Sequence, residues 1–142
     1  MAPKSKLDGM NPRTIGYWAS TGLLAVALLG SGLGALTRQE FLVEAMEHLG
    51  FPLYVMRILG TWYVSAAVAL VVPGLARVKE WAYAGVIFAM TGALAAHYFS
   101  GDAIADFVPP LVLISLAVAS YLLRPASRRL GGQFSSDQDG AH

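Results

Sequence analysis

The chain has 142 residues, the size of one ordinary domain. Hydrophobic residues make up 56 % of it and charged residues 13 %, well under the charged share of a typical soluble protein, which argues against a water-soluble fold. The net charge of +1 comes from dispersed Lys and Arg, so there is no basic footprint for nucleic acid, and the absence of cysteine excludes disulfides, thiol nucleophiles and thiolate-held metals or clusters.

Charged residues punctuate the chain and leave four long uncharged intervals. A bilayer core takes roughly 20 apolar residues as helix. The interval from Arg13 to Arg38 predicts a first span over about 15–36. Those from Arg57 to Arg77, from Glu80 to Asp102 and from Asp106 to Arg124 predict further spans over about 55–75, 81–99 and 107–123. Pro109 and Pro110 suit the first turn of the fourth span, where a missing N–H costs little. The first apolar run is too long for a signal-peptide core and leads into no A-x-A site, so it is expected to be retained. Residues 1–14 and 126–142 are polar and rich in Gly, Ser, Asp and Gln, and read as disordered tails around a membrane domain over 15–125.

Eight of the ten Lys and Arg lie before the first span, between the second and third, or after the fourth. By the positive-inside rule both termini are expected in the cytoplasm, with multi-pass insertion in the inner (plasma) membrane. Tyr17, Trp18, Trp81, Tyr83 and Tyr121 fall at the cytoplasmic level, and Phe51, Tyr54, Tyr98, Phe99 and Phe107 at the outer one, as two aromatic belts. Gly30-Ser-Gly-Leu-Gly34 in the first span and Gly85, Ala89, Gly92, Ala93 and Ala96 in the third predict close backbone contacts, within the bundle or in a homo-oligomer.

Between the first two spans, residues 38–49 have helical periodicity. Glu40, Glu44, Glu47 and His48 share one face, and Phe41, Leu42, Ala45, Met46 and Leu49 the other, which predicts a short amphipathic helix on the membrane surface. Gly50 suits its C-cap, and Pro52 restarts the chain. The fold class is therefore all-α, an integral membrane four-helix bundle with an interfacial helix between helices 1 and 2.

The topology gathers the unusual polar residues at the outer rim. Arg57 opens the second span, His97 closes the third, and Asp102 and Asp106 follow it. A charge near hydrocarbon either pairs or snorkels, so Arg57 is expected to meet Glu44 or Glu47, or to reach the interface. His97 stands among alanines as a core histidine or as a proton-transfer group. His97, Arg57 and Glu44 are the candidate catalytic residues. Trp62, Tyr63, His48 and Asp102 are the candidate lining of a pocket for an aromatic ring such as a quinone. Without an H-E-x-x-H or paired glutamate-histidine pattern, no metal site is assigned.

The stretch from Tyr17 to Pro125 resembles the DoxX-like family of small four-helix membrane proteins. The resemblance rests on Leu49-Gly-Phe-Pro52, Arg57-Ile-Leu-Gly60, Val72-Pro-Gly-Leu75, Lys79-Glu-Trp-Ala-Tyr-Ala-Gly85, Thr91-Gly-Ala93 with Ala96-His97, and Ser120-Tyr-Leu-Leu-Arg-Pro125. It implies a membrane subunit or accessory protein of a quinone-linked redox system, with a polar pocket at the outer leaflet and a soluble or membrane oxidoreductase as partner. No covalent cofactor is expected. A non-enzymatic scaffold or chaperone that recruits a partner protein is the alternative. So is a membrane-embedded isomerase or hydrolase using a carboxylate and His97 on a lipophilic substrate. Whether the chain is itself catalytic stays open at this point.

Overall fold

Asn11 starts the first helix, its side-chain carbonyl accepting from the Arg13 amide at 3.0 Å with proline in the opening turn. In the computed structural model, which describes residues 10–130, this helix is α1 (Pro12–Leu36). A left-handed Arg38 (φ 55) then turns the chain into α2 (Glu40–His48). Gly50 at φ 75 ends α2, with the Phe51 amide donating to the Met46 carbonyl at 2.8 Å, the reversal expected of a glycine C-cap. The remaining helices are α3 (Leu53–Val71), α4 (Ala76–Ser100) and α5 (Val108–Leu123). Single 3-10 turns, Ile104–Phe107 and Ala126–Arg128, flank α5.

Successive long helices run in opposite directions, and they close into a ring: α1 lies against α3 and α5, and α4 against α5 and α3. Leu24, Leu28, Leu70, Val86 and Met90 fill the centre. Four segments are long and apolar enough to cross a membrane: Pro12–Leu36, Leu53–Val71, Ala76–Ser100 and Ile104–Leu123. The all-helical bundle and the short amphipathic helix between its first two spans are as the hydropathy pattern predicts. One end of the bundle carries α2 and the α4–α5 connection; the other carries the α3–α4 turn and Arg124. They are called here the α2 end and the Arg124 end.

Several element ends differ from expectation, for identifiable reasons. The second span stops at Val71 and the third begins at Ala76. Val72, Pro73, Gly74 (φ 75) and Leu75 (φ 52) make a tight turn, and Arg77, Lys79 and Glu80 belong to the first turns of α4 instead of to a loop. Pro12–Thr14 and Ala126–Arg128, expected in disordered tails, are helical or 3-10. Of those tails, 1–9 and 131–142 lie outside the described residues.

Of the two small-residue stretches, the one in the first span makes the close contact, through Gly32. Gly30, Gly85 and Gly92 have no neighbour within 4 Å of where a Cβ would stand. The close approach is between Gly32 of α1 and Gly60 of α3: a Cβ on Gly32 would lie 2.9 Å from the Gly60 carbonyl oxygen, and one on Gly60 would lie 2.8 Å from that of Gly32. Two of the belt aromatics are core residues as well. Tyr17 is 0 % and Tyr83 4 % exposed, whereas Trp18, Trp81, Tyr54, Tyr98 and Phe99 remain on the surface.

Candidate functional site

At the α2 end, α4 finishes in a left-handed Gly101 (φ 72), which folds the chain back so that the Asp102 amide donates to the His97 carbonyl at 3.1 Å. This cap sets the Asp102 carboxylate over the His97 ring. His97 Nδ1 lies 2.6 Å from Asp102 Oδ2, and His48 Nε2, at the end of α2, lies 2.6 Å from Oδ1 of the same carboxylate. One aspartate thus joins two imidazoles from different helices. Exposure is graded across the three side chains: 21 % for His97, 8 % for Asp102 and 60 % for His48. The Phe107 ring, 6.1 Å from that of His97 between centroids, covers it from the side of α5.

The electrostatics follow from this geometry. The hydrogen bond and charge of Asp102 raise the pKa of His48 above its ordinary 6.5. In return, the hydrogen bonds from His48 and then His97 hold Asp102 below the ordinary carboxylate value of 3.8. The carboxylate therefore accepts from both rings near neutral pH. With its Nδ1–H held by Asp102, a neutral His97 keeps the lone pair on Nε2, which is the tautomer a proton acceptor needs. A carboxylate behind an imidazole fixes the ring's orientation and tautomer.

The other candidates are placed differently. Arg57 and Glu44 are exposed, and the expected ion pair of Arg57 with Glu44 or Glu47 is not formed among the described residues. Trp62 and Tyr63 line an apolar groove of about 360 Å³ between α3 and α4, together with Ser65, Trp81, Gly85 and Ala89. His48 and Asp102 are not part of it, so the candidate pocket lining divides into a groove along the spans and a polar rim. Eleven residues, close to three helical turns, separate Val86 in the groove wall from His97, so the two project from nearly the same side of α4. Asp106 accepts from the Ala103 amide at 3.1 Å, a local cap of the 3-10 turn.

A second polar cluster, not anticipated from the sequence, occupies the Arg124 end. Thr21, Ser120 and Tyr83 form a buried chain, with Thr21 Oγ1 to Ser120 Oγ at 2.5 Å and the Tyr83 hydroxyl to Ser120 Oγ at 2.7 Å. Lys79 is fully buried, its Nζ donating to the carbonyls of Ala69 at 2.5 Å and of Leu70 and Val72, the free carbonyls at the end of α3. Arg124, 3 % exposed, pairs with Glu80 and stacks over Tyr83 and Tyr121 at 5.5 and 5.0 Å. Three hydroxyl side chains at matching depths in apolar spans are the signal that could have revealed the network. These charges bracket the apolar runs, which is why the hydropathy pattern puts them at loops.

Fold and hydropathy define a four-span integral membrane protein with an ionisable cluster at each end. A family model described as the DoxX-like family matches residues 19–120, most of the chain. The chain belongs to the DoxX-like family. No curated protein and no solved structure matches it.

Proposed function

We propose that this protein is the membrane subunit or accessory protein of a quinone-linked redox system, in which His97, Asp102 and His48 carry protons between a lipophilic substrate and water. The observation that carries this reading is the single carboxylate joining a half-covered histidine to an exposed one. A quinone takes up two electrons and two protons in becoming a quinol, the electrons being supplied by the partner oxidoreductase. Protonated His97 donates from Nε2 to the quinone oxygen as the electrons arrive, Asp102 orients the ring through Nδ1, and His48 returns the proton from the aqueous phase. The apolar groove begins on α4 at Ala89, eight residues or about 12 Å from His97, and so suits the substrate's tail, with Trp62 and Tyr63 along its wall.

In this reading the α2 end faces the outside of the inner membrane and the Arg124 end faces the cytoplasm. The Lys and Arg asymmetry supports that orientation. Arg57 and Glu44 are assigned to the rim, where they meet headgroups or a partner, and not to the reacting centre. A titration tests the proposal: a short-tailed quinone added to the protein in nanodiscs should quench tryptophan fluorescence saturably, and Asp102→Asn should weaken that binding. Quenching that never saturates, together with a protein partner that co-purifies in equal amount, would favour the scaffold reading.

A further inference from the structure

Among the described residues, the Arg124 end holds more positive charge than its carboxylates answer. Arg13, Arg124, Arg128 and Arg129 gather there, and the ion pair among them is that of Arg124 with Glu80. Arg128 lies over the Trp18 ring at 4.6 Å. Arg13 and Arg129 both donate to one oxygen, the Leu122 carbonyl, at 2.9 and 3.4 Å. Among the described residues neither has a carboxylate within 4.0 Å. Two guanidinium groups on one oxygen repel each other, and the partial negative charge at the end of α5 offsets only part of one of them. Behind them Arg124 is 3 % exposed, with Nε and Nη1 buried and unpartnered. Buried guanidinium N–H groups without an acceptor are costly, even though Nη2 of the same side chain pairs with Glu80.

These three arginines line one cleft of about 270 Å³, closed on its other side by Asn11 and Thr14 from the first turn of α1. Half-exposed Trp18 and Tyr121 set the cleft at the depth where a bilayer's headgroups lie. We propose that the cleft binds a phosphate group, carried by a membrane lipid or free in solution. Phosphate presents more oxygens than a carboxylate to the fork-shaped donors of several arginines, and basic pockets between spans are suited to lipid headgroups. The phosphate takes the outward donors of Arg13 and Arg129 at the mouth. Its charge offsets the excess positive charge that Arg13 and Arg129 leave there.

The test uses the full chain in an uncharged detergent and reads thermal stability against three probes: phosphatidylglycerol, inorganic phosphate and diacylglycerol. A saturable rise in Tm with phosphatidylglycerol alone identifies a lipid phosphate. A rise with inorganic phosphate as well identifies a site open to the soluble ion. Diacylglycerol, which lacks phosphate, should give no saturable rise. In Arg13→Gln/Arg129→Gln the half-saturating concentration should increase at least about tenfold, as expected when charge-assisted hydrogen bonds are lost. Should that variant not fold, Arg13→Gln alone provides the comparison. No saturable rise in the wild type, an equal rise with diacylglycerol, or an unchanged half-saturation in the variants overturns the proposal.

Discussion

Replacing Gly32 by alanine adds one methyl group to the tightest helix contact in the bundle. That methyl would stand 2.9 Å from the Gly60 carbonyl oxygen, 2.9 Å from Val64 Cγ2 and 3.1 Å from the Val64 amide nitrogen, where ordinary contact begins at 3.4 Å. Two of these atoms are backbone, so no rotamer change relieves the clash, and α3 must retreat by about 0.5 Å. A gap of that size forfeits roughly a quarter of the ~0.1–0.2 kcal/mol well of each facing atom pair. Over the few tens of pairs at a helix crossing, the loss comes to about 1–2 kcal/mol, inside the ~1–3 kcal/mol range for overpacking. Gly30→Ala is the control, since nothing lies within 4 Å of its added methyl. It should stay within about 0.5 kcal/mol of the wild type. Thermal or denaturant unfolding in one detergent measures both. Equal stability of Gly32→Ala and wild type, or an equal loss in Gly30→Ala, would refute the placement of the α1–α3 contact.

Three further outcomes follow from the polar clusters. His48 should titrate above 6.5 by NMR and return toward that value in Asp102→Asn. Because its pKa is raised in the folded protein, its tether of α2 to the α4–α5 connection is complete below 6.5 and is lost as pH rises through the raised value. The lowered pKa of Asp102 ends the same tether at the acid side, below 3.8. Lys79→Met should destabilise the protein by about 1–3 kcal/mol, read from unfolding in detergent, because the carbonyls ending α3 lose their buried donor. A cysteine at exposed Glu44 should react with a membrane-impermeant thiol reagent in intact cells and one at exposed Ser127 should not; the reverse pattern would invert the orientation.

The long uncharged intervals made the four spans and their order legible, because hydrocarbon leaves helices as the economical structure for a backbone that must satisfy its own hydrogen bonds. The intervals misplaced the α3–α4 turn for a physical reason. Lys79 is a charge, yet its long side chain reaches the free carbonyls of α3 and so sits inside the fold. Glycine spacing likewise named a motif without naming its partner. Gly32 meets Gly60 because of how α1 crosses α3, a property of the whole bundle, while Gly30 and Gly92 face open space.

At the α2 end, His48, His97 and Asp102 were each legible as candidates, but their union was not. It depends on the left-handed Gly101 that turns Asp102 back over His97, and on the reach of α2 across the rim. The spacing of a histidine, three residues and a glycine-aspartate cap was the local clue. For Arg57 the rim charge drew attention to a pairing that the structure leaves unmade.

The central claim, that His97 and its carboxylate serve a lipophilic redox substrate, is tested most directly by the quinone retained through purification. Wild-type and His97→Ala proteins are purified in parallel in a mild detergent, and their solvent extracts are quantified by mass spectrometry against protein. The account predicts near-stoichiometric quinone in the wild type and at least about tenfold less in His97→Ala, the loss expected for a charge-assisted hydrogen bond, with helical content by circular dichroism unchanged. Equal quinone in both proteins, or none in the wild type, would contradict it.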